Sequence, residues 1–152
     1  MEMNYRKSVQ AACAAMVITT TAFAGVVAPA SAAAVRREVS NRADGKCLDV
    51  TSDVSTKTCT GASGQKWTIN PNSSGESTFV NYQTGLCLDS NSSGSVYAIA
   101  CNGGAYQRWY LGGTGGMFIH NAATERCLES AAGNVTTARC DGSKKGQTWL
   151  LS

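Results

Sequence analysis

Cysteine and histidine are the side chains here best suited to chemistry, and their spacing decides which chemistry that is. The cysteines are Cys13, Cys47, Cys59, Cys87, Cys101, Cys127 and Cys140, and the one histidine is His120. Metal ligation, catalysis and disulfide formation compete for them. A zinc site wants closely paired cysteines, often with histidine, but no C-x-x-C pair exists and a lone His120 cannot complete a set. Catalysis by general acid–base or nucleophilic routes needs a poised partner for each reacting group. His120 instead falls in a strand-like stretch, Met117–Asn121, where the corresponding positions elsewhere are Ser40 and Val80, so it reads as a packing or surface residue. No enzyme activity, metal or cofactor is expected. Disulfides remain.

The N-terminal segment agrees with an oxidising destination. Arg6 and Lys7 precede an uncharged run from Ser8 to Ala28, and Ala28-Pro29-Ala30-Ser31-Ala32 offers small-residue cleavage patterns after Ala30 or Ala32. A transmembrane anchor is the competing reading, disfavoured because the run is Ala/Thr-rich and the cleavage pattern well formed. Residues 1–32 are therefore expected to be a removed signal peptide, with residues 33–152 as the secreted, extracellular chain, lacking any membrane span. Removal of Cys13 leaves an even six cysteines. A chain of 152 residues suits one domain. Its formal charge of +3 and charged fraction of 15% are too mild for a nucleic-acid partner, since no basic stripe is present.

The elements that must position these cysteines are announced by a repeat. Cys47, Cys87 and Cys127 fall 40 residues apart, as do Asn41, Asn81 and Asn121, and Leu48, Leu88 and Leu128. A second cysteine follows each first at intervals of 12, 14 and 13 residues, and each unit closes on Gln-x-Trp: Gln65 with Trp67, Gln107 with Trp109, Gln147 with Trp149. Only within-unit bonding treats all units alike, so the expected bridges are Cys47–Cys59, Cys87–Cys101 and Cys127–Cys140. Each loop would contribute roughly 3 kcal/mol by restricting the unfolded chain. In the second unit, alternation and turn residues predict strands over Thr78–Gln83, Leu86–Asp89, Val96–Cys101 and Gln107–Leu111. The same scheme in units spanning about 35–70, 78–112 and 116–152 gives about twelve strands. Ile69, Leu111 and Leu151 lie two past each tryptophan, so both share a face that must be the core. Three four-stranded units would not close a normal propeller. The expectation is an all-β trefoil.

Cys-Leu-Asp near the start of units one and two (Cys-Leu-Glu in unit three) and Gln-x-Trp at each unit's end resemble the ricin-type β-trefoil lectins, also called family 13 carbohydrate-binding modules, over essentially residues 35–152. The resemblance implies sugar binding at up to three shallow sites, with Gln65, Gln107, Gln147 and the tryptophans as structural residues. The second unit is similar to the repeats of actinohivin-type lectins, which bind high-mannose glycans through terminal α1,2-linked mannose. Leu88-Asp89-Ser90-Asn91, Val96-Tyr97 and Asn102-Gly103-Gly104-Ala105-Tyr106-Gln107-Arg108-Trp109 carry that similarity. It implies a carbohydrate site at Asp89, Tyr97, Ile99 (leucine in those lectins), Asn102 and Tyr106.

Those side chains suit a pyranose. An ionised Asp89 accepts two hydroxyl protons, the Asn102 amide offers a donor and an acceptor, and Tyr97, Ile99 and Tyr106 present apolar surface to ring C–H groups. Gly103 and Gly104 are expected to let the backbone approach the ligand. Units one and three depart from this pattern. Unit one keeps Asp49 but places Ser55, Lys57, Thr60 and Gly64 at the other four positions; unit three has Glu129, Thr136, Ala138, Asp141 and Gly146. Both are expected to be scaffold, with Glu129 and Asp141 the one pair there suited to a polar ligand. The reading is a free-standing, non-catalytic lectin for high-mannose glycans or glycoproteins. The competing reading is a protein-interaction or inhibitor trefoil with degenerate sugar sites.

Overall fold

A computed structural model describes residues 34–114 and 116–152. The expected signal peptide, its cleavage site and Cys13 lie outside the described residues. The first unit contains β1 (Val35–Asn41), β2 (Cys47–Val50), β3 (Val54–Lys57) and β4 (Lys66–Pro71). The second contains β5 (Glu76–Asn81), β6 (Cys87–Ser90), β7 (Val96–Ile99) and β8 (Trp109–Gly112). The third contains β9 (Phe118–Asn121), β10 (Cys127–Ala131), β11 (Asn134–Ala138) and β12 (Trp149–Leu151). Short 3₁₀ turns, Ser63–Gln65, Ala105–Gln107 and Lys145–Gln147, precede the last strand of each unit.

Antiparallel pairing joins β1 to β4, β4 to β5, β5 to β8, β8 to β9 and β12 to β1, and a bridge between Met117 and Trp149 completes the ring. Six strands thus form a closed barrel without free edges. The remaining strands form three hairpins, β2–β3, β6–β7 and β10–β11, which meet through Ser55 with Asn134 and Ser95 with Thr136. This is the β-trefoil expected from the repeat. The three disulfides are Cys47–Cys59, Cys87–Cys101 and Cys127–Cys140, each with Cα atoms 5.0 Å apart.

The core is built from three symmetric triplets, all fully buried: Val39, Phe79 and Ile119; Leu48, Leu88 and Leu128; Trp67, Trp109 and Trp149. Each indole N–H donates to the leucine carbonyl of its own unit at 2.9–3.1 Å, so a large apolar ring is buried without orphaning its donor. Ile69 is buried beside the tryptophans, and Leu111 and Leu151 are partly buried against the same cluster.

Strand ends differ from the sequence expectation where side chains terminate them. β5 stops at Asn81 rather than Gln83, because the Asn81 side-chain oxygen accepts the N–H groups of Gln83 and Thr84 at 3.2 Å and turns the chain. β8 begins at Trp109 because Gln107 lies in the preceding 3₁₀ turn. β6 runs over Cys87–Ser90 and β7 ends at Ile99.

Candidate functional site

The second-unit residues singled out by sequence sit on one hairpin and the loop stapled to it. In the β6–β7 register, Asp89 faces Tyr97 and Cys87 faces Ile99. The hairpin tip is capped by Asn91, whose side-chain oxygen accepts the N–H groups of Ser93 and Ser95 at 3.1 Å. It rests on unit three, where the Thr137 N–H donates to the Gly94 carbonyl at 2.8 Å and Arg126 reaches the Ser92 carbonyl at 3.3 Å. The Cys87–Cys101 bridge ties the following loop to β6. Gln107 then sets that loop's path: its amide donates to the Ala100 carbonyl (3.1 Å) and accepts the Asn102 N–H (2.8 Å). The Tyr106 carbonyl accepts the Asn121 side-chain amide at 2.7 Å. Backbone atoms of Asn102 and Tyr106 therefore carry the fold, which leaves the Tyr106 side chain free.

Burial grades the five residues. Asp89 is only 3% exposed, whereas Ile99 and Tyr106 are 40% and 42% exposed and present apolar surface to solvent. Tyr97 is half-buried and its hydroxyl donates to the Ser90 carbonyl at 3.3 Å. Burial first, and then the Asp89 charge, push the Tyr97 pKa above its ordinary value, so the phenol stays a donor at neutral pH. The Asn102 side chain differs from expectation: its oxygen accepts the Gly104 N–H at 2.7 Å, which leaves its NH₂ as the available group. The glycines have local causes as well. Gly103 adopts φ 71°, and a β-carbon on Gly104 would stand 2.9 Å from the Asn102 oxygen. Concavities of about 200–600 Å³ elsewhere on the molecule are lined by none of the five.

Strand register identifies the equivalent residues in the other units. Asp49 faces Ser55 and Cys47 faces Lys57; Glu129 faces Thr136 and Cys127 faces Ala138. Both carboxylates are already engaged. Asp49 accepts the Lys57 ammonium at 2.9 Å and the Thr51 hydroxyl. Burial alone would raise its pKa, but those two bonds and the lysine charge together hold it below the usual value. Glu129 accepts the Gln147 amide at 2.7 Å and Lys144 at 3.5 Å. Asp141 accepts both the N–H and the hydroxyl of Ser143, which holds its pKa low and closes its own turn. By contrast, no lysine or arginine pairs with Asp89 among the described residues. The group that faces it is the Tyr97 phenol, whose pKa, alongside burial, the Asp89 charge and hydrogen bond help to raise.

The tyrosine position closes in the same two units. A β-carbon at Gly64 would stand 2.9 Å from the Val50 carbonyl oxygen, and one at Gly146 2.6 Å from that of Ser130. Sequence reasoning noted the missing aromatics but not that Lys57 neutralises Asp49. The signal was present, because Lys57 lies two residues beyond the position facing Asp49 and so shares its face of the sheet.

Among the described residues, no three metal-ligating side chains come together and no helix is long and apolar enough to cross a membrane. A family model described as ricin-type beta-trefoil lectin domain matches residues 35–149. Solved structures of similar fold include the designed threefold-symmetric protein ThreeFoil, at 21% identity and TM-score 0.71, covering 76% of this chain and 96% of that one. SeviL, solved with asialo-GM1 saccharide, matches at 16% identity and TM-score 0.68, over 79% of this chain and 98% of its own. A GlcNAcα1-4Gal-releasing endo-β-galactosidase from Clostridium perfringens matches at 18% identity and TM-score 0.70, over 76% of this chain but 31% of the enzyme.

Proposed function

The chain belongs to the ricin-type β-trefoil lectin domain family, and on that premise we propose that it is a secreted, non-catalytic carbohydrate-binding protein whose mannose-type site lies in the second repeat. The observation that carries this reading is the fate of three equivalent carboxylates. Asp49 is paired with Lys57 and Glu129 is bonded by the Gln147 amide with Lys144 at 3.5 Å, whereas among the described residues no lysine or arginine pairs with Asp89, which shares its face of the hairpin with Tyr97 and Ile99. Asp89 accepts vicinal hydroxyls, the Asn102 NH₂ donates to a third oxygen, and the exposed Tyr106 and Ile99 cover the C–H face of the ring.

The second unit's similarity to actinohivin-type repeats points to terminal α1,2-linked mannose as the ligand. A single shallow site of this kind gives dissociation constants of about 0.1–10 mM, or about 3–5 kcal/mol. The test is a glycan array followed by calorimetric titration with α1,2-mannobiose. Binding should disappear in Asp89→Ala and fall steeply in Tyr97→Ala while both variants melt like the parent. Undiminished binding in both variants overturns the site, and an array that responds only to other glycans overturns the specificity.

A further inference from the structure

The barrel wall between units two and three carries a concavity of about 600 Å³ that the second-unit site does not use. The threefold symmetry fails here. Register pairs Tyr110 with His120 across the β8–β9 seam and Gly112 with Phe118 beside them. The Tyr110 and His120 rings pack with centroids 4.9 Å apart and planes tilted by 32°. At the equivalent seams the facing pairs are Thr68 with Val80 and Leu150 with Ser40, which carry no rings. Ala122 lines the concavity where the other units place Arg42 and Tyr82, so a small side chain leaves open what bulky ones would cover.

Glu125 is the fourth departure. It adopts φ 56°, and its equivalents Gly45 and Gly85 both sit at φ 70°. Two units use glycine for this left-handed turn, while the third keeps a glutamate in a conformation that disfavours any side chain. That glutamate is exposed and lines the same concavity. The platform is also held in place from below: the Tyr110 hydroxyl bonds towards Glu76, which raises the Tyr110 pKa, and Glu76 is itself fixed by Arg108 and Asn72 at 2.9 Å.

We propose that this groove is a second saccharide site, taking a neutral pyranose ring against Tyr110, His120 and Phe118 with its hydroxyls accepted by Glu125. Aromatic faces suit the C–H surface of a sugar, and an acceptor-only carboxylate suits its hydroxyls. The Glu125 carboxylate, which no lysine or arginine pairs among the described residues, repels an acidic sugar, which selects the neutral class. This site stands independently of the one at Asp89.

The test is an amide-resolved NMR titration of the disulfide-bonded protein with methyl α-mannopyranoside, methyl β-galactopyranoside and N-acetylglucosamine in turn. At least one should shift the amides of Tyr110, His120 and Glu125 saturably, and Asp89→Ala should leave those shifts intact. Glu125→Gly restores the residue that the backbone favours, so it should melt no lower than the parent yet weaken groove binding by about fivefold or more. Two results overturn the proposal: no shift at these amides by about 50 mM of any probe, or a Glu125→Gly variant that binds as tightly as the parent. Shifts confined to the second-unit hairpin and abolished by Asp89→Ala overturn the groove while supporting the site at Asp89.

Discussion

Asp49, Asp89 and Glu129 occupy one position in three copies, and their differences come from what each unit places within reach. Lys57 donates to both Asp49 and the Thr51 hydroxyl, at 2.9 and 2.7 Å, so one cation organises the first unit's surface. The lysine is half exposed, and water screens the pair, which limits its worth to about 1 kcal/mol or less. Its pH signature is more distinctive. The Asp49 pKa is lowered from the usual 3.8, so in acid the unfolded chain takes up the proton first. The contribution of Asp49 is complete at neutral pH and disappears as pH falls through its folded-state value. Lys57→Met should therefore lower stability slightly at neutral pH and narrow the gap between melting temperatures at about pH 6 and about pH 3. Thermal melts of parent and variant at both pH values check this, and equal gaps in the two proteins contradict it.

Between residue and fold stand the recurring side-chain clasps that convert a sequence period into strand geometry. Asn81 is fully buried; its amide donates to the Gly64 carbonyl at 2.8 Å, while its oxygen accepts N–H groups of Gln83 and Thr84. Asn121 does the same for Tyr106, and Asn41 for Gly146, so every unit is stitched to the one before it in the ring. Replacing Asn81 by alanine leaves a buried carbonyl and the turn's N–H groups without partners, and should lower unfolding stability by about 1–3 kcal/mol. Denaturant titration measures it, and a midpoint within error of the parent would show that the clasp is dispensable. The period of these asparagines was legible in the sequence, but their partners were not. Asn121 reaches 15 residues back, whereas Asn41 reaches Gly146 across 105 residues, a contact that exists only once the ring has closed. The disulfides, the count of strands and the tryptophan side of the core were legible because three copies constrain one another, whereas the buried triplet Val39, Phe79 and Ile119 was not singled out. The closing of the first and third sites was legible only in part. Missing aromatics can be read from residue types, but the approach of Gly64 to the Val50 carbonyl depends on the path of the backbone. The left-handed Glu125 is announced not by Thr124-Glu125-Arg126 but by the period, which sets it level with Gly45 and Gly85.

At the scale of the whole molecule, the proposed single site does not share the threefold symmetry of the fold. The barrel needs all three units, because β12 of the last pairs with β1 of the first and Trp149 sits opposite Asn41. Retaining three units therefore says nothing about retaining three sites. Trivalent engagement of a clustered glycan raises avidity by roughly 100-fold or more over one site without any new contact. That gain requires three competent hairpins, and here two are filled by Lys57 and Gln147 and closed at Gly64 and Gly146. Titration with α1,2-mannobiose should accordingly show one Asp89-dependent equivalent per chain, not three. Moving from free disaccharide to a dense high-mannose glycoprotein should tighten binding to a single chain by far less than the trivalent gain. Calorimetry fixes the stoichiometry, and comparison with the Asp89→Ala variant separates this equivalent from any sugar held on the barrel wall. Three Asp89-like equivalents would mean that Lys57 and Gln147 give way to the ligand. The expected single equivalent means that the third and first units persist in this lectin to complete the barrel and seat the second hairpin, whose tip rests on Arg126 and Thr137.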